Sequence, residues 1–242
     1  EFARVSQAAG ARADYVQGGG GNTSVKLPGG LMAIKASGFC LSDIRPDKAY
    51  AVLDGADLRN FYLTTEPSEL ADVEKEGSAR AKADIRHIDG LADLRPSVEA
   101  GFHSILKTFV VHTHSVYANL AACSTTCRPI AAQAFAGANY TWGWVPHTDP
   151  GANLTFAIRD ELRRVEAETG KAPSVILMQN HGIIVHDDDP DTALAIHTDA
   201  NERLARMFGL SGTSFPKIAV REIAAGIYAA DVPYLAEQFR TG

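Results

Sequence analysis

The segment Lys107-Thr-Phe-Val-Val-His112-Thr-His114-Ser115 constrains the fold of this chain more than any other. Residues 108–111 are apolar or β-branched, the pattern of a buried strand. Side chains on a strand alternate faces, so His112 and His114 project together from its end. Two imidazoles on one face suit a tetrahedral or five-coordinate metal site. A third, His181, follows the apolar run Val175–Met178 in Met178-Gln-Asn-His181-Gly182, where a strand ends in a sharp turn. Any one of these histidines alone reads as a hydrogen-bonded structural residue. Together they fit a first-row divalent ion, Zn2+ first among them, with a fourth position left open.

Glu99 stands in Arg95-Pro-Ser-Val-Glu99-Ala-Gly-Phe-His103. Pro96 is expected to open a helix running to about Lys107, which places Glu99 in the first turn. The helix dipole by itself favours glutamate there. Beside a metal, the same carboxylate is a general acid or base. His103, four residues on, reads as a helix-face residue rather than a partner of the site.

Gly18-Gly-Gly-Gly-Asn22-Thr23-Ser24 lets backbone approach a ligand closely and supplies donors for phosphate or hydroxyl oxygens. It is neither a P-loop nor a dinucleotide fingerprint. Lys35-Ala-Ser37-Gly38 puts a cation, a hydroxyl and a glycine at a strand end, and Ser97 sits at a helix N-terminus, where free N–H groups favour anions. These elements beside a metal suggest a phosphorylated or carboxylated substrate.

Further helices are expected at about 2–16, 68–85, 115–122, 152–169 and 191–208, with two short ones near 219–229 and 231–240. Strands are expected at 25–27 and 31–36 around Pro28-Gly29-Gly30, and at 49–53, 140–145, 174–178 and 182–185. The polar stretch 55–95 reads as a helical surface insertion or a partner-contact arm. No regular β-α-β rhythm appears, which argues against doubly wound and barrel folds. The 242 residues fit one large domain. Lys+Arg 23 against Asp+Glu 29 disfavours nonspecific nucleic-acid binding, and no run of 18 apolar residues suggests a membrane span. Cys40, Cys123 and Cys127 form no spaced framework, which points to a reducing, cytoplasmic compartment. Cys123 and Cys127 read as structural residues rather than as a metal pair.

Gly-Gly-Asn22-Thr-Ser, Ser37-Gly38, Pro96-Ser-Val-Glu99, His112-Thr-His114 and Asn180-His181-Gly182 occur in the order of the class II aldolase/adducin-head family. The chain resembles that family over about residues 2–210. Its members include L-fuculose- and L-rhamnulose-1-phosphate aldolases and pentulose-5-phosphate 4-epimerases. The resemblance implies an α/β fold, an α/β/α sandwich around a mainly antiparallel sheet. It implies one domain over 1–242, with an arm at about 55–95 and a helical tail at about 215–242. A homotetramer with sites at subunit interfaces is common in the family. His112, His114 and His181 then look like zinc ligands and Glu99 like the catalytic carboxylate. Asn22, Ser37, Gly38 and Ser97 match phosphate-binding positions, and Thr23 joins them as a donor from the glycine-rich loop.

Glutamate at 99 resembles the aldolases, since the epimerases usually carry aspartate. Val98 stands where the fuculose phosphate enzyme has a second phosphate-binding serine. The wording Arg-Pro-Ser-Val-Glu resembles the aldolase half of bifunctional aldolase–dehydrogenases. Tyr117, Tyr140 and His147 are candidates to protonate the leaving fragment, although packing or a solvated loop explains each. The expectation is a metal-dependent aldolase reversibly cleaving a ketose phosphate or related sugar through an enediolate. A 4-epimerase, a hydroxy-acid decarboxylase on the same site and a non-catalytic adducin-like scaffold are the alternatives.

Overall fold

Short β-branched and apolar runs gather into one eight-stranded sheet in the computed structural model, which describes residues 1–210 and 219–231. The strands are β1 (Asn22–Lys26), β2 (Leu31–Lys35), β3 (Tyr50–Asp54), β4 (Ile85–Arg86), β5 (Phe109–Thr113), β6 (Trp142–Val145), β7 (Val175–Met178) and β8 (Gly182–Asp187). They lie in the order β4-β3-β2-β1-β5-β8-β7-β6. Every neighbouring pair is antiparallel except β6 with β7. The strand carrying His112 is therefore interior, paired on both edges.

Among the described residues, eight α-helices cover the sheet: α1 (Phe2–Gly10), α2 (Gly55–Thr64), α3 (Val73–Ala83), α4 (Ala100–Ile105), α5 (Val116–Ala122), α6 (Cys127–Ala134), α7 (Ala152–Thr169) and α8 (Pro190–Met207). Strand alternation sorts them into two layers. Val111 packs with Val5, Ala118, Ala131 and Ala200 of α1, α5, α6 and α8. Val110, one residue away, packs with Leu58, Phe102 and Ile158 of α2, α4 and α7. The result is the expected α/β/α sandwich. A one-residue slip of β5 would exchange the faces and bury its polar residues in the wrong layer.

Tertiary contacts shift several boundaries. The helix expected over 2–16 stops at Gly10, because the Asp14 carboxylate accepts from Arg12 and Tyr117 and its carbonyl accepts from the Val116 N–H. Pro96 is held in a bridge to Ala36, so α4 begins only at Ala100. The segment expected as a surface insertion over 55–95 is helical, yet Leu58 and Tyr62 are buried in the core and Ile85–Arg86 extends the sheet. The helix expected near 219–229 is instead a hairpin of β9 (Ala219–Ala224) and β10 (Ile227–Asp231), turned at Gly226 with φ 74°. Val220, Ile223 and Ile227 are β-branched, and a left-handed glycine suits a turn better than a helix interior. The helix expected near 231–240 begins on the last residue of β10 and otherwise lies outside the described residues. Glu1–Leu210 and Ser211–Gly242 form separate units. Among the described residues no helix is long and apolar enough to cross a membrane.

Candidate metal centre

His112 shares the α4-facing side of β5 with Val110, and His114 follows just past the strand end. His181 arrives on the β7–β8 hairpin, whose strands pair Met178 with Gly182. Asn180 turns that hairpin at φ 56°, a left-handed conformation asparagine tolerates. A Cβ on residue 182 would lie 2.4 Å from the Thr113 carbonyl oxygen, so the hairpin closes on the end of β5 only with glycine there. Ring centroids of the three histidines lie 4.9 Å, 4.9 Å and 5.1 Å apart.

His112 Nε2 and His114 Nε2 are 3.1 Å apart, and one ring nitrogen from each of the three histidines lies within 4.8 Å of the others. His112 Nδ1 is 3.0 Å from the Ile183 carbonyl, which assigns it as the N–H donor and leaves Nε2 a lone pair facing its neighbours. Burial pushes the His112 imidazole down to about 3 and lowers that of His114. Three ring nitrogens gathered this closely form a donor set that fits a divalent ion.

Glu99 stands at the N-cap position of α4, without a capping side-chain bond, rather than in its first turn, and is 5 % exposed. Its Oε2 accepts from Asn22 Nδ2 at 2.5 Å and lies 3.6 Å from His112 Nε2. Its Oε1 lies 3.0 Å from His181 Nε2, without an aligned hydrogen-bond donor. Burial alone would raise this carboxyl. The imidazoles of His112 and His181 and the Asn22 amide outweigh burial and hold it below the usual carboxylate range. The buried, donor-poor Oε1 facing the imidazoles is a second observation that fits a cation or a proton-bearing substrate at this point.

The β1–β5 register sets Asn22 directly opposite His112. Asn22 Nδ2 also reaches Ser97 Oγ at 3.1 Å, while its Oδ1 accepts from His103 Nε2. His103 Nδ1 in turn accepts from the Ser24 hydroxyl at 2.8 Å. His103 is fully buried, and burial, followed by the charge of Lys26, keeps its pKa well below the ordinary imidazole value. The neutral ring has one N–H and one acceptor, as the chain Ser24–His103–Asn22–Glu99 requires. The reading of His103 as a helix-face residue is thereby corrected. The missed signal was the alternation of Asn22 and Ser24 on one face of β1, opposite the face of Thr23.

Thr23 points the other way and is not brought to the site: its hydroxyl lies 2.6 Å from that of Ser6 in α1, fully buried. Ser37 does reach the segment before Glu99, donating from N–H to the Arg95 carbonyl (2.9 Å) and from Oγ to that of Pro96 (3.1 Å). Gly38 follows at φ 89°. Lys35 Nζ ties the glycine-rich loop to the next one, donating to Gly19 O (3.2 Å) and Phe39 O (2.8 Å). A Cβ on residue 21 would lie 2.6 Å from the His112 carbonyl oxygen, so this loop lies tight against β5. Tyr117 and Tyr140 donate to Asp14 and Asp199, which places both in structural bonds. The exposed His147 donates its N–H to Gln179 in the hairpin that carries His181.

Residues 1–208 match the family described as the class II aldolase and adducin N-terminal domain. No curated protein matches the chain in sequence. Among solved structures, the N-terminal class II aldolase domain of a conserved protein from Thermoplasma acidophilum superposes with a TM-score of 0.69 at 20 % identity, over 86 % of this chain and 92 % of that one. YgbL of Klebsiella pneumoniae, described by three alternative activities, aldolase, epimerase or decarboxylase, gives 0.57 at 17 % identity over 90 % and 91 %. An L-fuculose 1-phosphate aldolase gives 0.51 at 18 % over 89 % and 91 %. At these identities the superpositions carry the fold.

Proposed function

The chain belongs to the class II aldolase and adducin family, and from that premise we propose that it is a metal-dependent aldolase reversibly cleaving a ketose phosphate or a related sugar. The observation that carries this reading is the convergence of three imidazole nitrogens beside the buried carboxylate of Glu99. His112, His114 and His181 would hold a zinc or other divalent first-row ion, which would supply Lewis acidity toward a carbonyl and its neighbouring hydroxyl. Glu99 moves the proton at the carbon that becomes nucleophilic, and its free Oε1 is the atom that accepts it. Asn22 holds the other oxygen in place. Asn22, Ser37, Gly38 and Ser97 receive the anionic group. Retention of all three histidines and Glu99 weighs against an adducin-like scaffold, and glutamate rather than aspartate at 99 weighs against epimerisation.

Val98, Val116 and Leu120 are exposed apolar residues close in sequence to Glu99 and His114, which supports a homotetramer whose neighbour completes the site. Three free cysteines are in keeping with a reducing, cytoplasmic setting. The test is zinc content by atomic emission, with product analysis on ketose phosphates and their unphosphorylated counterparts. Stoichiometric zinc and two carbonyl fragments are expected. An epimer or a released carboxyl carbon as product would replace the aldol reading, and a metal-free protein would reject it.

A further inference from the structure

At the end of β1 remote from Asn22, the same strand face carries Lys26. Its Nζ donates to the His103 carbonyl, and the His103 ring bonds Asn22 and Ser24 further along that face. Arg59 of α2 reaches the next two carbonyls, those of Ser104 (3.2 Å) and Ile105 (2.6 Å). Two cations thus cap the C-terminus of α4, which is their structural role. They do so on the wall of a cavity of about 620 Å³, to which Leu31, Leu63, Ile105 and Leu106 add aliphatic surface. None of the metal-centre residues lines this cavity.

Lys26 differs from the other basic residues of this wall. Lys107 pairs with Asp187 at 2.9 Å, and Arg159 pairs with Glu66 and Asp160. Lys26 makes no ion pair among the described residues; its partner is a backbone carbonyl. Asp188 is the carboxylate that acts on it, and Asp188 Oδ1 is already engaged by the Thr108 N–H (3.1 Å) and hydroxyl (2.7 Å). A guanidinium keeps its proton at any accessible pH, so of the two cations on α4 the ammonium is the one that yields. Burial, and then the charge of Arg59, push Lys26 down to about 7 from an ordinary 10.5. The same surroundings push His186, on the same wall, down to about 3, burial first and then the charges of Lys26 and Lys107. A neutral amine keeps an N–H for the His103 carbonyl and gains a lone pair. Lys26 is only partly buried, which leaves it within reach of a molecule in the cavity.

We propose that Lys26 is a covalent site for small aldehydes, which enter this cavity and condense with its amine to an imine. The Nζ lone pair attacks the carbonyl carbon and forms the C–N bond, and the carbonyl oxygen leaves as water with the two amine protons. The step needs no oxidant, reductant or metal. The cavity holds an aldehyde of several carbons, and its aliphatic walls suit an uncharged product. The imine nitrogen has no proton left for the His103 carbonyl, so modification removes one support from the residue that orients Asn22. The site is independent of the metal centre and of the aldolase reading.

The test is reductive trapping on the full chain. The protein is incubated at pH 7 with propanal and cyanoborohydride, which fixes imines as secondary amines, and the labelled lysines are located by peptide mass spectrometry. Lys26 is expected to label about tenfold or more faster than Lys171, which is exposed and outside the cavity. At pH 7 about half of the Lys26 amine is unprotonated, against less than about a hundredth of an ordinary lysine's. In the urea-unfolded chain the preference is expected to vanish, because all lysines then share one environment. Labelling of Lys26 no faster than that of Lys171 in the folded protein overturns the proposal. So does a preference that survives unfolding, since it would belong to the local sequence and not to the cavity. The labelling is read without zinc and without turnover, so its failure removes this site and leaves the aldolase reading as it stands.

Discussion

The proposed mechanism gives His112 and Glu99 different parts, and single substitutions separate them. His112→Ala is expected to lose stoichiometric zinc, measured by atomic emission, because a two-imidazole remnant leaves the ion short of ligands. Glu99→Gln keeps the metal, since the three histidines are untouched, and loses turnover, since the amide cannot take a proton. Wild-type rates in that variant would sink the role given to Glu99. His103 acts one step back. Its N–H fixes the Asn22 amide so that Nδ2 faces Glu99 and Ser97. His103→Leu should retain zinc and lower kcat by about 10- to 100-fold, the usual scale for groups that orient a site from behind. His103→Gln, which can still donate to Asn22, should recover part of the loss. At this scale the sequence was legible for the His-x-His pair, because two same-face positions on a strand are a strictly local property. It was illegible for His103, whose role depends on a strand 79 residues away at Ser24.

Among the elements, the β7–β8 hairpin depends on a missing side chain. Gly182→Ala would drive a methyl group into the Thr113 carbonyl and push His181 from its partners. A loss of roughly 1–3 kcal/mol in chemical denaturation, with weakened zinc binding, is expected from such overpacking. The sheet faces also set the response to acid. His197 of α8 bonds Thr113 of β5 at 2.8 Å, and His186 lies buried on β8. Burial pushes both down to about 3 from an ordinary 6.5. Between those values the unfolded chain binds protons that the folded chain refuses, so stability falls as pH drops through that window. Each group contributes on the order of 1 kcal/mol per pH unit there. Thermal midpoints measured from neutral pH downward should decline, and His197→Gln should flatten the slope. Most elements were readable from periodicity; α7 starts and stops where its pattern does. The exceptions, the early end of α1, the late start of α4 and the strands of the tail, are places where a contact from elsewhere or a glycine turn overrides local preference.

For the whole molecule, each residue of the proposed metal centre, its supporting chain and the proposed anion pocket lies within Glu1–Leu210, which has its own two-layered core. A chain ending at Leu210 is therefore expected to fold and to bind zinc stoichiometrically, checked by circular dichroism and atomic emission. Loss of either would show that the remaining residues are part of the working unit. The sequence by itself determined the two-sided burial of the strands and the pairing of His112 with His114, because both follow from periods of two residues along a single strand. The order of its short motifs was enough to suggest the family. Only the tertiary structure decided that Asn22 stands opposite His112, that Thr23 faces away and that His103 backs Asn22. Those outcomes depend on strand order and register, which are set by which apolar faces meet across the whole core and leave no trace in any short stretch of chain.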